Sequence, residues 1–298
     1  MIELRAADSN DELEAWRRVR IAVLPDERTA SVAEMRAAAT PDTLLLLAEV
    51  DGDVVGCGIA KHTDTGNGRA FVQPRVVPDA RRQGVGSVLL RALAAHAQKV
   101  GYTSAGANVE DPGSVAFADR FGFREVGRQV EQVYVVRGTE VPPVLPAGIE
   151  LVSLAERPDL HLRTYYELAL EAFEDIPTPS PISITPELWE REWIALPEGS
   201  FVALGGGEIV GCAGLVRDAD LPDRAENTLT AVRRDWRGRG VARALKESVV
   251  AWAAANGIRE LYTWTQTGNE SMRAVNEKLG YVTRNVAISV RRELPLDA

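Results

Sequence analysis

Two short stretches of this chain carry residue types suited to holding an anion. Arg81-Arg82-Gln83-Gly84-Val85-Gly86-Ser87 and Arg237-Gly238-Arg239-Gly240-Val241-Ala242-Arg243 each lie between an apolar strand-like run and a run with helical spacing. Small residues let several backbone N–H groups converge on one point, and the N-terminus of a following helix adds positive potential. A phosphate or pyrophosphate fits such a loop. An isolated G-x-G that merely turns the chain is the alternative, and the second occurrence with its own arginines weighs against it.

The elements that must position these loops also occur twice. Ile2-Glu3-Leu4 returns as Ile149-Glu150-Leu151, Asp51 to Gly58 as Gly206 to Ala213, and Phe121-Gly122-Phe123 as Leu279-Gly280-Tyr281. The nearly constant spacing indicates a duplication. Each half reads as an opening strand, a helical segment, a hairpin, a further strand, the glycine loop, a helix, another strand, a short helix and a closing strand. After the loops, apolar residues recur at helical spacing, at Val85, Val88, Leu89, Ala92 and Leu93 and at Val241, Ala244, Leu245, Val249 and Trp252. The predicted class is α/β, two tandem domains, each a mixed, mostly antiparallel twisted sheet flanked by helices. Pro142, Pro143 and Pro146 mark an extended linker, which gives domains 1–140 and 146–298.

Arg81-x-x-Gly84-x-Gly86 and Arg237-x-x-Gly240-x-Ala242 resemble the Q/R-x-x-G-x-G/A signature of the GNAT superfamily of N-acetyltransferases, across nearly the whole chain. The resemblance implies acetyl-CoA as donor, with the amides of Gln83 to Ser87, beside Arg82, or of Gly238 to Arg243 around its pyrophosphate. It also implies that Val76-Val77 or Ala231-Val232 pairs with the pantetheine arm, in a slot where that strand splays from the next.

In histone-acetylating members a strand glutamate is the general base. Counting eleven residues back from the loop arginine reaches Glu226 in the second half and Ala70 in the first. A free amine has a pKa near ~10, so a carboxylate within one water of it has a proton to remove. A solvated glutamate paired with Arg224 is the plainer reading of Glu226.

The segment Gly268-Asn269 to Gly280-Tyr281 is similar to the family segment whose helix contacts CoA, which points to Asn269 and Asn276. Simple N-capping also accounts for Asn269, whereas a mid-helix Asn276 costs helix propensity unless it has a partner. The family's thiolate-protonating tyrosine is replaced by Ala118 and Asn276. The second half is therefore expected to be catalytic and the first supporting or degenerate.

Between Ala172 and Trp193 a proline-rich loop precedes Trp189 and Trp193. Glu171, Glu174 and Asp175, walled by Tyr165, Tyr166 and the tryptophans, are candidates for holding an ammonium group, with a packed loop as the alternative. Cys57 and Cys212 read as small buried hydrophobes. Two cysteines and three histidines give no basis for a metal site. The net charge of −9 disfavours a nucleic-acid partner, and no apolar run spans a bilayer. The expectation is a cytoplasmic, metal-free N-acetyltransferase that uses acetyl-CoA to acetylate a small-molecule amine by direct attack on the thioester. An acyl-CoA sensor without turnover, or another acyl-CoA reaction on the same fold, is the alternative. Oligomeric state is not legible.

Overall fold

The computed structural model describes residues 1–62, 68–178 and 181–296; Pro179 and Ser180 of the proline-rich loop lie outside the described residues. In chain order the elements are β1 (Ile2–Ala6), α1 (Asn10–Val23), α2 (Val32–Ala38), β2 (Leu44–Val50), β3 (Asp53–His62), β4 (Arg69–Val76), α3 (Val85–Lys99), β5 (Ser104–Val109), α4 (Pro112–Arg120) and β6 (Arg124–Val135). There follow β7 (Ile149–Ser153), α5 (Leu160–Thr164), α6 (Leu170–Glu174), α7 (Pro186–Leu188), β8 (Phe201–Gly205), β9 (Glu208–Ala213), β10 (Val216–Arg217), β11 (Arg224–Glu226) and β12 (Thr230–Val232). The chain ends with α8 (Val241–Ala255), β13 (Glu260–Gln266), α9 (Glu270–Leu279) and β14 (Val282–Glu293). Two compact units emerge, Met1–Gly127 with Ala287–Ala298, and Arg128–Val286.

In the first unit β1 to β4 pair antiparallel in sequence order, β4 pairs parallel with β5, and the end of β14 pairs antiparallel with β5 from Ile288↔Val109 to Glu293↔Ser104. Side chains alternate across a strand, so the leucine run of β2 serves both faces. Leu46 and Ala48 pack with Leu89, Leu90 and Leu93 of α3, while Leu47 packs with Leu13, Trp16 and Val19 of α1. Helix α1 starts at a capping box in which Ser9 accepts from the Glu12 amide and Glu12 accepts from Ser9 in return.

The second unit divides its strands between two sheets. One is β7, β8, β9 and β12, all antiparallel. The other is β10 and β11 antiparallel, β11 and β13 parallel, and β13 antiparallel with Gln129–Val135 of β6. Val241, Leu245, Val249 and Ala253 of α8 bury one apolar stripe against Val210 and Leu261. Each fully buried aliphatic side chain of this kind stabilises by about 2 kcal/mol.

The compact units differ from the expected division at 140 and 146. Each sheet is closed by a strand from the other half of the sequence, β6 in the second unit and β14 in the first. The linker through Pro146 lies in the second unit, with Pro146 beside Gly240. Alternation identifies a strand but not the sheet it joins, which is why the exchange is invisible in the sequence.

A fragment ending at Glu140 therefore lacks the strand that covers β5, together with Ile288, Val290 and Leu294 of its core. Thermal unfolding should show it melting at least about 10 °C below the same fragment carrying residues 282–296 on a flexible linker. Equal melting temperatures would contradict the exchange.

Candidate functional site

The two glycine loops have one backbone shape. In each, a single 3-10 turn, Pro78–Ala80 or Arg234–Trp236, leads to an arginine whose Nε donates back to the end of the preceding strand. Arg81 reaches the Val76 carbonyl at 3.1 Å and Arg237 the Val232 carbonyl at 2.9 Å. Gly84 (φ +89°) and Gly240 (φ +83°) then sit at the N-caps of α3 and α8. That left-handed conformation is open to glycine and costly for residues with a Cβ. No side chain caps either helix. The first two amides of each helix remain available for an anion, whereas the Ser87 amide of α3 donates to the Gly84 carbonyl at 3.0 Å. Val77 lies just past β4, whereas Ala231 and Val232 are both within β12.

In the second unit the loop opens onto a cavity of about 560 Å³. Its walls include Thr230, Ala231 and Val232 of β12, Arg237 to Arg243 apart from Arg239, and Asn269, Ser271, Met272, Val275 and Lys278 from α9 and its cap. Among the described residues β12 pairs only with β9, at the edge of its sheet, and its other edge runs along this cavity. Asn269 both lines the cavity and caps α9, accepting from the Met272 amide at 3.3 Å. Asn276 is not among the lining residues. It is fully buried and its Nδ2 donates to Gln132 Oε1 at 2.8 Å, which is the partner that its mid-helix position required.

Glu226 ends β11, half-buried and opposite Tyr262 in the parallel ladder. Ala225 packs with α8, so Glu226 faces the other side of the sheet. The Tyr262 hydroxyl lies 2.9 Å from Asp218 Oδ1 and 3.4 Å from Glu226 Oε2. Burial, then the Glu226 and Asp218 charges, push the Tyr262 phenol up, so it stays protonated and donates. Arg224 is engaged by Glu260 at 2.6 Å, Glu131 at 3.3 Å and Asp218 at 3.5 Å, and stacks over the Tyr262 ring at 4.1 Å. Arg224 is therefore not the surface residue that the plainer reading made it; it is buried in this network.

The register also corrects the residue matched to Glu226. Phe71↔Gly106 in the first unit corresponds to Glu226↔Tyr262 in the second, so Phe71 rather than Ala70 occupies the equivalent place. The first unit lacks a carboxylate there in either case. Its Gln73 donates to the Asn108 carbonyl at 2.9 Å, bridging β4 and β5 just where the strands part.

Asp175 lines the cavity, but the carboxylates expected to await an ammonium group are engaged by the arginines of the loop. Asp175 accepts from Arg234 at 2.7 and 3.1 Å and from Arg237 at 2.5 Å, and Glu171 accepts from the Arg234 amide. Hydrogen bonds from Arg234 and then Arg237 pull the Asp175 carboxyl down to about 2. Tyr165 and Trp189 belong to a hydrophobic cluster with Phe173 and Leu168, not to a pocket wall. Cys57 and Cys212 are buried, and burial pushes both thiols up to about 12.

Sequence reasoning passed over Lys246. It is buried on α8, with Nζ 2.5 Å from Asn227 Oδ1 and 5.0 Å from the centre of the Tyr281 ring. The repeat held the signal, because the matching position of α3 is the core residue Leu90. Among the described residues no group of three metal-ligating side chains converges, and no helix is long and apolar enough to cross a membrane.

Comparison with known proteins bears on this arrangement directly. The sequence profile of the Acetyltransferase (GNAT) family matches residues 10–123 and 162–281. The chain belongs to that family. This GNAT chain is 26% identical over 257 residues to the mycothiol acetyltransferase of Amycolatopsis mediterranei, covering 83% of each protein. It is 28% identical over 224 residues to that of Catenulispora acidiphila, covering 72% of this chain and 69% of the relative. In fold it is similar to a GCN5-related N-acetyltransferase from Sphaerobacter thermophilus, with TM-score 0.79 at 21% identity, covering 98% of this chain and 95% of that one. A tandem GNAT protein from the clavulanic acid biosynthesis pathway aligns over 100% of both chains, with TM-score 0.72 at 22% identity.

Burial lowers the Lys246 amine from 10.5 to about 7. Between those values the unfolded chain holds a proton that the folded chain does not, so stability rises with pH across this window. The cost at neutral pH is on the order of 4 kcal/mol. Chemical denaturation from pH 7 to 10.5 should show that rise in the parent and a flattened one in Lys246→Met. Parallel curves would contradict the burial of a titrating amine.

Proposed function

We propose that the second unit is an acetyl-CoA-dependent N-acetyltransferase that modifies a small-molecule amine, and that the first unit supports it. The observation that carries this reading is the cavity joining the uncapped start of α8 to the free edge of β12. The amides from Gly238 to Arg243, with Lys278 in the cavity wall, suit a pyrophosphate, and the edge at Ala231-Val232 suits an extended amide-bearing arm.

Bound acetyl-CoA supplies an activated acyl carbon and a thiol leaving group of pKa about 8.5. Glu226 accepts the acceptor's ammonium proton through a water, freeing the lone pair that forms the C–N bond as the C–S bond breaks. Tyr262, held between Asp218 and Glu226, fixes the carboxylate's position. The same acidic face favours a cationic acceptor over an anionic one. Both curated relatives are named mycothiol acetyltransferases, so a screen of acceptors should include amines related to mycothiol.

Calorimetry with acetyl-CoA should show Gly240→Val binding at least about tenfold more weakly, because a β-branched residue at φ +83° distorts the loop and its Cβ blocks backbone approach. Thiol release should be abolished by Gly240→Val and largely spared by Gly84→Val. The opposite pattern would assign the chemistry to the first unit.

Glu226→Gln keeps the side chain's shape without its basicity. Its kcat should fall about a hundredfold or more, with acetyl-CoA affinity unchanged and partial recovery as pH rises. Turnover within twofold of the parent at neutral pH would remove Glu226 from the mechanism.

A further inference from the structure

The duplication makes one difference between the units measurable residue by residue. In the first, β4 runs unbroken from Arg69, opposite Ser104, to Val76, opposite Gly56. In the second, the corresponding stretch runs from Arg224, opposite Glu260, to Val232, opposite Gly211. It spans one residue more, 224 to 232 against 69 to 76, and it is broken into β11 and β12.

The break is organised by Asn227, which is buried and engages both sheets. Its amide donates to the Tyr262 carbonyl at 2.8 Å, continuing the ladder with β13. Its side-chain Nδ2 donates to the Gly214 carbonyl at 2.7 Å, just past β9. Its Oδ1 accepts from Lys246 Nζ at 2.5 Å and from Thr230 Oγ1 at 3.3 Å. Thr230 is the first residue of β12 and lines the cavity, and Glu226 is the last residue of β11. One buried amide therefore holds both ends of the break, and one buried amine holds that amide.

We propose that Lys246 is a positioning residue: through Asn227 it locks the one-residue break that ends β11 at Glu226 and begins β12 at Thr230. An extra residue in a strand can be accommodated at neighbouring positions, and a slip of one residue turns every side chain to the opposite face. Here such a slip would carry Glu226 from the acidic face to the helix face. The proposal rests on the acyl-transfer reading for its kinetic consequence but not for its structural one. It also explains why a core position that holds Leu90 in the first unit carries an amine in the second. A lysine stem is long enough to reach from α8 to the strand, and leucine offers no donor at its end.

The test uses the full chain with Lys246→Met, Lys246→Gln and Asn227→Ala. Amide hydrogen exchange, thermal melting, acetyl-CoA calorimetry and thiol release with a productive amine are measured on each. Lys246→Met should melt no lower than the parent at neutral pH, since it removes a buried amine. It should nevertheless exchange about tenfold or more faster at Asn227–Thr230 alone. Its kcat should fall about tenfold or more while acetyl-CoA affinity stays within about fivefold. Asn227→Ala should show the same local exchange, and Lys246→Gln, which keeps a donor, should recover part of both effects.

Unchanged exchange at Asn227–Thr230 in Lys246→Met overturns the proposal, and so does a lower melting temperature with exchange raised throughout the unit, which marks a merely structural role. Fast local exchange with kcat within twofold overturns the positioning role. Should the parent release no thiol with any amine, the acyl-transfer reading fails separately, and the exchange pattern still decides whether the lysine locks the break.

Discussion

A β-strand whose two edges are both paired offers a ligand nothing to bind, and the second unit departs from that condition between Glu226 and Thr230. Up to Glu226 the strand pairs with β13; from Thr230 onward, among the described residues, it pairs only with β9. The free edge, the cavity beside it and the placement of Glu226 across from Tyr262 all follow from this parting of the sheets. The loop at Arg237–Ala242 and the edge of β12 share the wall of one cavity.

The first unit keeps the loop and the parting of its strands beyond Phe71, and differs in the side chains around them. Its Gly84 adopts the same left-handed conformation as Gly240, and Arg81 folds back to Val76 as Arg237 does to Val232. Yet Phe71 stands where Glu226 does in the ladder, Gln73 ties β4 to the Asn108 carbonyl, and Asp111 is occupied in capping α4. The first unit also receives its closing strand, β14, from the second half of the sequence.

Features fixed by local chemistry were legible in the sequence. The glycine loops, the repeat and the buried cysteines follow from residue type and spacing alone, and the GNAT family match covers both halves. Long-range pairing was not legible. Nothing local distinguishes a β6 that closes the second unit from one that closes the first. Asp175 reads equally as an ammonium ligand or as the partner of Arg234 and Arg237, because a carboxylate suits either and only the fold decides which cation is near. Arg224 read as a surface residue, because the sequence does not reveal the buried Asp218 and Glu131 and the half-buried Glu260 that engage the arginine. Lys246 was legible in principle, since the repeat aligns it with a core leucine, but a lone lysine in a helix is normally on the surface.

The central claim is that the parted sheets of the second unit hold the acyl donor. A crystal structure of the full chain grown with acetyl-CoA tests it most directly. The account predicts pyrophosphate density against the amides of Gly238–Arg243, with the pantetheine arm along Thr230–Val232 and the thioester directed toward Glu226. Density confined to Arg82–Ser87 of the first unit, or an empty second-unit cavity at saturating donor, would contradict it.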